Sequence, residues 1–231
     1  MKLIGMQKMT VLDFPGRVAC IVFTFGCNFR CPFCHNASLV VGDGNSGISE
    51  DEVFAYLKKR QGILDGVVVT GGEPLLQKDI EDFLRKIKDM GFEVKLDTNG
   101  TFPETLKKIV NEGLADYVAM DIKNAPEYYA VTSGVENLNL DKIKESVDFL
   151  INQNKVPYEF RTTIVAQYHS EDMMDEIGKF IKGAKNYYLQ GFVDSGDTIV
   201  ENLSALPKAN MQKMADRISK YVENVSLRGI N

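Results

Sequence analysis

Much of what would send this chain to a membrane or to nucleic acid is missing. Its longest strongly apolar run, Val18 to Phe25, falls far short of the about 20 residues that cross a bilayer. The opening Met1-Lys2-Leu3-Ile4-Gly5 has neither the apolar segment nor the small-residue cleavage site of a signal peptide. Both absences predict a cytoplasmic protein whose thiols stay reduced. No basic stripe offsets the net charge of −5, so neither nucleic acid nor a membrane is the expected partner. No Gly-x-Gly-x-x-Gly turn follows the first apolar strand pattern, which argues against a dinucleotide-binding sheet. Linkers, low-complexity tracts and internal repeats are also lacking. Cysteine is scarce: of four in 231 residues, three fall between positions 27 and 34. In a reducing compartment such a group points to a metal or to catalysis before disulfides.

What is present reads as an alternating helix–strand chain. Composition is ordinary for a globular protein, 44% hydrophobic and 26% charged, and the length suits one domain over 1–231. Apolar, β-branched runs predict strands at Val18–Phe25, Gly66–Thr70, Glu93–Asp97, Tyr117–Met120, Glu159–Val165 and Tyr187–Gln190. Amphipathic helices fill the intervals. One opens on the Ser49/Glu52 capping box. A second carries Ile80, Phe83, Leu84 and Ile87 and stops at Gly91; a third runs from Pro103 to Gly113. Ile143, Val147, Leu150 and Ile151 share another face. Met173, Met174, Ile177 and Ile181 share the next, behind a Ser170 cap. Met211, Met214, Ile218 and Val222 mark a last helix over 208–224, packed with the N-terminal segment 1–17 on the core. The segment Val41-Gly42-Asp43-Gly44-Asn45-Ser46-Gly47 reads as a flexible loop.

Strands joined through helices run parallel, so six such units predict an α/β fold, a partial (β/α)6 TIM-like barrel. Chemically conspicuous residues then cluster at the C-terminal rim, where active sites of such barrels form. They are Cys27 after the first strand, Gly71-Gly72-Glu73-Pro74 after the second and Asp97-Thr98-Asn99 after the third. Asp121 and Lys123 follow the fourth strand and Gln190 the sixth.

The cysteines read Gly26-Cys27-Asn28-Phe29-Arg30-Cys31-Pro32-Phe33-Cys34-His35-Asn36, spaced C-x3-C-x2-C. Three thiolates so spaced suit three irons of a cubane cluster and leave the fourth iron open for catalysis. The competing reading is structural zinc, closed by Cys20 or His35. Cys20, inside an apolar strand, fits better as a core thiol. The triplet, with Phe33 before its last cysteine, resembles that of the radical S-adenosylmethionine superfamily. The resemblance implies one [4Fe-4S] cluster on Cys27, Cys31 and Cys34, whose open iron binds S-adenosylmethionine and whose electron releases a 5′-deoxyadenosyl radical.

Further segments carry the same resemblance. Gly71-Gly72-Glu73-Pro74 is similar to the family motif that meets the cofactor's ammonium, although a Gly-Gly turn is also an ordinary strand-to-helix connection. Asp121-Ile122-Lys123 resembles the Asp-x-Lys motif of glycyl-radical enzyme activating enzymes, which holds ribose and carboxylate. Arg161, in Arg161-Thr162-Thr163, resembles their carboxylate-gripping arginine. An unpaired charge in that β-branched run would be expensive, which favours a ligand over a solvated arginine. Asp97, Thr98 and Asp121, with the Ala119 carbonyl, match a monovalent-cation position of some members, with a helix cap at Asp97 as the alternative. Thr10-Val11-Leu12-Asp13-Phe14-Pro15-Gly16-Arg17 resembles the segment whose acidic residue, here Asp13, seats the partner's glycine-bearing peptide.

Together with Cys34-His35-Asn36, these motifs resemble the single-cluster activating proteins of anaerobic ribonucleoside-triphosphate reductase over nearly the whole chain. The resemblance implies Phe33, His35, Gly71, Gly72, Glu73, Asp97, Asn99, Asp121, Lys123, Arg161 and Gln190 as cofactor-binding residues. It also implies a glycyl radical enzyme as protein substrate, and flavodoxin or ferredoxin as electron donor. No cysteine lies between the triplet and Gly71, so no ferredoxin-like insert is expected there. Leu189-Gln190-Gly191-Phe192 has glutamine where pyruvate formate-lyase activating enzymes carry a cofactor-contacting histidine. His169, at a loop-to-helix junction, reads as a surface residue.

Overall fold

A computed structural model describes residues 1–42 and 47–230 of the chain. One eight-stranded sheet runs in sequence order: β1 (Leu3–Thr10), β2 (Ala19–Thr24), β3 (Gly66–Gly71), β4 (Glu93–Thr98), β5 (Tyr117–Asp121), β6 (Tyr158–Ile164), β7 (Asn186–Gly191) and β8 (Asn224–Arg228). β1 pairs antiparallel with β2; every later neighbour is parallel. The helices are α1 (Ala37–Val41), α2 (Glu50–Lys58), α3 (Ile80–Asp89), α4 (Pro103–Asn111), α5 (Tyr129–Ser133), α6 (Leu140–Asn152), α7 (Met173–Phe180) and α8 (Lys208–Ile218). No helix among the described residues is long and apolar enough to cross a membrane.

Local chemistry accounts for the helix boundaries. The Ser49 hydroxyl accepts the Glu52 N–H at 3.2 Å while Glu52 accepts the Ser49 N–H at 2.8 Å, so the capping box opens α2. Pro103 starts α4, where its missing N–H costs nothing. Ile80, Phe83, Leu84 and Ile87 of α3 are all buried. They join Val67, Val69, Val94, Leu96, Val118 and Phe160 in one large core on the helix side of the sheet.

The other face of the sheet is different. Parallel sheets normally bury apolar side chains on both faces. Here the inner face has only a small apolar cluster, Phe14, Ala19, Ile21 and Val68, with Phe23 and Tyr117 against it. Beside it stand Lys95, Asp97, Asp121, Glu159 and Arg161, which alternate with outward residues on β4, β5 and β6. Phe14 lies in the turn between β1 and β2, at the N-terminal ends of the parallel strands, with its ring 6.2 Å from that of Tyr117. It packs across part of the foot of the barrel, below the polar groups of the C-terminal rim.

All six expected strands are present, and the parallel, open α/β architecture agrees with the sequence reading. Two edge strands, β1 and β8, were not expected: half-exposed and polar, they lack a continuous apolar run. The helix expected over 208–224 ends at Ile218, and residues 224–228 form β8 instead. Ser170 does not cap α7. Asp172 precedes that helix without a side-chain cap bond, and only the Ser170 carbonyl takes part, accepting the Met173 N–H. Of the expected loop at 41–47, residues 43–46 lie outside the described residues.

β8 is fastened by an ion pair between a half-exposed arginine and a buried carboxylate. Arg228 donates from Nη1 and Nη2 to both oxygens of Glu159, at 2.8 and 2.9 Å, and Tyr117 Oη adds a third bond at 2.9 Å. The Arg228 guanidinium also lies 3.3 Å above the Tyr188 ring centre. Removing one partner of such a pair leaves an uncompensated carboxylate in the interior. Arg228→Met is therefore expected to lower unfolding free energy by about 3 kcal/mol. Urea denaturation measures this, and an unchanged midpoint would show that Glu159 does not need its partner.

Candidate active site

One cavity of about 430 Å³ opens at the rim and continues down the inner face of the barrel. Ligand sites commonly have this size. Its wall holds Cys27, Cys31 and Cys34 together with Phe33, His35, Gly71, Gly72, Glu73, Asp97, Thr98, Asn99, Asp121, Lys123, Arg161, Gln190 and Asp13. All of the implied cluster, cofactor and peptide residues thus line the same space, although they span positions 13 to 190; Ala119, named for its carbonyl, does not.

Backbone contact sets the triplet loop against the turn after β3. Glu73 N–H donates to the Gly26 carbonyl at 2.9 Å, and Gly72 N–H to the Thr24 carbonyl at 3.0 Å. A Cβ on Gly72 would sit 1.9 Å from the Gly26 oxygen, and Gly71, at φ +114°, would meet Thr24. The glycine pair is required first by this chain-on-chain approach, before any ligand is considered. Arg30 seals the loop on the solvent side, donating at 2.7 Å to the carbonyls of both Cys27 and Phe29.

The donor chemistry suits a cluster better than a single ion. Among the described residues no three His, Cys, Asp or Glu side chains converge on one metal position. A cubane does not need that convergence, since each of its irons takes a different thiolate. Cys20 is fully buried in β2, packs in the core and does not line the cavity, so it cannot close a zinc tetrahedron. His35 does line the cavity, but its ring stacks on Phe192 at 5.3 Å. Burial pushes the Cys27 thiol up to about 12 and Cys31 to about 11, values suited to thiols that surrender protons only to a metal. Cys27 Sγ already accepts the Phe29 N–H at 3.3 Å and lies 3.9 Å from Asn99 Nδ2. Hydrogen bonds of this kind tune cluster potential.

Across the cavity runs a chain of five charges. Lys95 Nζ bonds Asp97 Oδ1, and Asp97 Oδ2 meets Arg161 Nη1 at 3.3 Å. Arg161 Nε donates to Asp121 Oδ1 at 2.9 Å, and Lys123 Nζ to Asp121 Oδ2 at 3.0 Å. Register explains the span: Asp121 is level with Arg161, but Asp97 is level with Ala119, two strands from β6. Two strand spacings are about 10 Å, and a side chain larger than Ala119 would block the reach. Burial opposes ionisation of Asp97 and Asp121, but Arg161 with Lys95 or Lys123 outweighs it and holds both carboxyls below the usual range. Burial likewise opposes the charge on Lys123 and Arg161, and Asp121 reverses the balance and raises both.

Three cations therefore face two anions, and the surplus positive charge suits an anionic group such as a carboxylate. The same count disfavours a further cation at Asp97, Thr98 and Asp121. Asp97 is not a helix cap either, since α4 follows Phe102. Thr98 Oγ1 donates to Glu73 Oε1 at 2.8 Å, which turns its hydroxyl from the cavity centre towards Glu73.

Two features escaped the sequence reading. Lys95 is buried although it alternates with apolar neighbours like a solvent-facing strand residue. His169 is a buried strut and not a surface residue. Its Nδ1 accepts the Val165 N–H at 3.1 Å and its Nε2 meets the Lys123 carbonyl at 2.9 Å, a pair that selects the Nε2–H tautomer. Burial lowers its pKa, which keeps this neutral form. Its ring stands edge-on to Phe33 at 5.9 Å, so one side chain ties β6, the Lys123 turn and the triplet loop together.

Comparison with known proteins agrees with this geometry. The family described as the Radical SAM superfamily matches residues 21–181. Methanocaldococcus jannaschii MJ1227, assigned by name only as a glycyl-radical enzyme activating enzyme, is 34% identical over 98% of this chain and 95% of its own length. The Escherichia coli pyruvate formate-lyase 1-activating enzyme is 29% identical over 78% of this chain and 74% of its length. Among solved structures, Streptococcus suis SuiB bound to its precursor peptide SuiA superposes with a TM-score of 0.71 at 14% identity. That match covers 91% of this chain and 48% of SuiB, so the chain spans about half of that structure.

Glu73 offers a check on the assembled rim. Fully buried, it accepts from Leu75 N–H, Thr98 Oγ1 and Asn99 N–H, yet burial outweighs these donors and pushes its pKa up to about 7 from 4.5. Between those values the folded protein holds a proton that the unfolded chain has released. Glu73 therefore costs stability as pH rises from 4.5 to about 7, by about 3 kcal/mol in all. The Glu73→Gln protein, unfolded by denaturant at pH 5 and pH 8, is expected to lose less stability than the parent over that interval. Identical pH dependence in the two proteins would contradict the buried, protonated carboxyl.

Proposed function

This chain belongs to the radical S-adenosylmethionine superfamily and, within it, to the glycyl-radical enzyme activating enzymes; from that premise we propose that it generates a glycyl radical on an anaerobic ribonucleoside-triphosphate reductase. The observation that carries the protein-substrate part is the course of the cavity. It extends from the triplet, past Ile21 and Val68, to Asp13 at the foot of the barrel. An extended peptide entering beside Asp13 would run along this wall towards the triplet, whereas a small substrate beside the cofactor would not use the Asp13 end. The choice of reductase rests on the resemblance around Leu96–Gly100, Ala119–Lys123 and Phe160–Thr163. Gln190 in place of a histidine weighs against a pyruvate formate-lyase partner.

In this reading Cys27, Cys31 and Cys34 hold a [4Fe-4S] cluster, and the whole chain, 1–231, forms the one domain that serves it. When bound, the cluster and S-adenosylmethionine supply the electron and the 5′-deoxyadenosyl radical that takes hydrogen from the partner's glycine. Arg161 and Lys123, with the surplus charge of their network, grip the cofactor carboxylate. The backbone of Gly71 and Gly72 receives its ammonium, and Glu73 holds that turn in place. Asn99 orients Cys27, His35 and Phe33 wall the cofactor, and Gln190 supplies a polar contact from β7. Asp13 seats the peptide. A monovalent cation at Asp97, Thr98 and Asp121 would have to displace Lys95, Lys123 or Arg161, so the reading does not require one. A low-potential flavodoxin or ferredoxin delivers the electron.

The test is anaerobic reconstitution with iron and sulfide, reduction with dithionite, and mixing with the anaerobic reductase of the same organism. A glycyl radical doublet in the electron paramagnetic resonance spectrum is expected; its absence sinks the partner assignment. Cys31→Ala is expected to lose the cluster absorbance, and full iron retention would contradict the ligand set. Arg161→Met should keep the cluster but weaken S-adenosylmethionine binding by at least ~30-fold, the loss expected when a buried charge pair is broken. Titration of the reconstituted protein reads this, and unchanged affinity would remove Arg161 from the cofactor site.

A further inference from the structure

We infer that the turn at the foot of the barrel, with Val11 and Leu12 at its tip, is a docking surface for the folded body of the glycyl radical enzyme. This rests on the partner reading above and goes beyond it, because the tip lies outside the channel that takes the peptide. Met9, Val11 and Leu12 are 62%, 64% and 88% exposed, three large apolar side chains within four residues. Isolated apolar residues on a surface need no explanation, but a cluster at a cavity mouth does.

The tip is held rigidly. Thr10 is buried, and its hydroxyl accepts the N–H groups of Leu12 at 3.2 Å and Asp13 at 3.3 Å while donating to the Asp13 carboxylate. One residue further, Phe14 is buried against Ile21, Val68 and Tyr117, which anchors the turn to the barrel floor. Tyr56 Oη donates to the Lys8 carbonyl and steadies the approach from β1. A turn fixed at Thr10 and Phe14 cannot fold Leu12 inward. The exposure is built into the structure.

Position identifies the occupant. Asp13 is exposed and also lines the cavity, so the channel reaches solvent beside Leu12. A protein that threads a backbone glycine through that opening must bring its own surface against the rim of the opening. The apolar tip is the part of the rim that gains by being covered; Val11 and Leu12 each regain about 1.5–3 kcal/mol on full burial. A short peptide carrying the same glycine would enter the channel without touching the tip.

The double variant Val11→Ser/Leu12→Ser separates these contacts. In the reconstituted holoenzyme, dithionite-driven 5′-deoxyadenosine formation without partner is expected to equal the parent's, since neither residue lines the cavity. Against the anaerobic ribonucleotide reductase of the same organism, half-saturation of glycyl radical formation should rise at least tenfold. Anisotropy of a labelled synthetic peptide spanning the reductase glycine should show no weakening. Equal half-saturation in parent and variant overturns the docking surface, as does an equal loss towards peptide and reductase, which would move Leu12 into the channel. A parent dimer that the substitutions dissociate, seen by sedimentation equilibrium, assigns the tip to a second copy and overturns the proposal. No radical with the parent overturns the partner reading, and the docking surface falls with it.

Discussion

The site depends on one arrangement: two half-buried carboxylates shared among three cations on the inner face of the sheet. Lys95, Asp97, Arg161, Asp121 and Lys123 come from three strands and from the turn after β5. Ion pairs in an interior seldom add net stability over an apolar replacement, because desolvation consumes most of the attraction. Their persistence here fits a different task. Both carboxylates are held ionised, and Arg161 and Lys123 are held charged, so the field at the rim is fixed before any ligand arrives. The surplus positive charge sits across the cavity from the three thiols of the triplet, which in the proposed reading become anionic on taking iron.

Backbone constraints bring the two halves of that field together. The Gly26 and Gly71–Gly72 segments touch through main chain, at a distance that excludes a β-carbon. From the other side, His169 clamps the Lys123 carbonyl to the end of β6 and supports Phe33. The last cysteine of the triplet follows Phe33 directly. Cluster loop and charge network are thus positioned against each other by a turn and a buried imidazole, neither of which has to touch substrate. This is the supporting layer that a site of fixed geometry needs.

Legibility in the sequence followed the strength of the local signal. The six central strands were readable because helices cover their outer faces and demand unbroken apolar runs such as Val67-Val68-Val69. β1 and β8 were not, because edge strands keep polar and half-exposed side chains. The placement of most site residues on one rim followed from parallel topology, which is why positions as distant as Cys27 and Gln190 could be grouped in advance; Arg161 was added by resemblance. Lys95 could not, because Glu93-Val94-Lys95-Leu96 alternates like any strand with one wet face. Only the curvature of the sheet into a partial barrel turns that face inward. His169 was illegible for another reason: its partners lie 4 and 46 residues away, and no spacing rule connects them.

The division of the cavity explains why a radical enzyme of this shape can act on another protein. Charged and sulfur groups occupy the upper part, where Asp97, Asp121, Lys123, Arg161 and the triplet meet. Below them the wall becomes Ile21, Phe23 and Val68, side chains that offer few hydrogen bonds to a passing backbone. A peptide held there must satisfy its own amides or meet Gln7 and Asp13 near the mouth, so ordering it in the channel carries a desolvation cost. In the proposed reading recognition by the channel alone is therefore weak, and affinity comes from surface outside it. That requirement, set by the apolar lower wall, gives an exposed and rigid turn beside Asp13 a physical reason to exist.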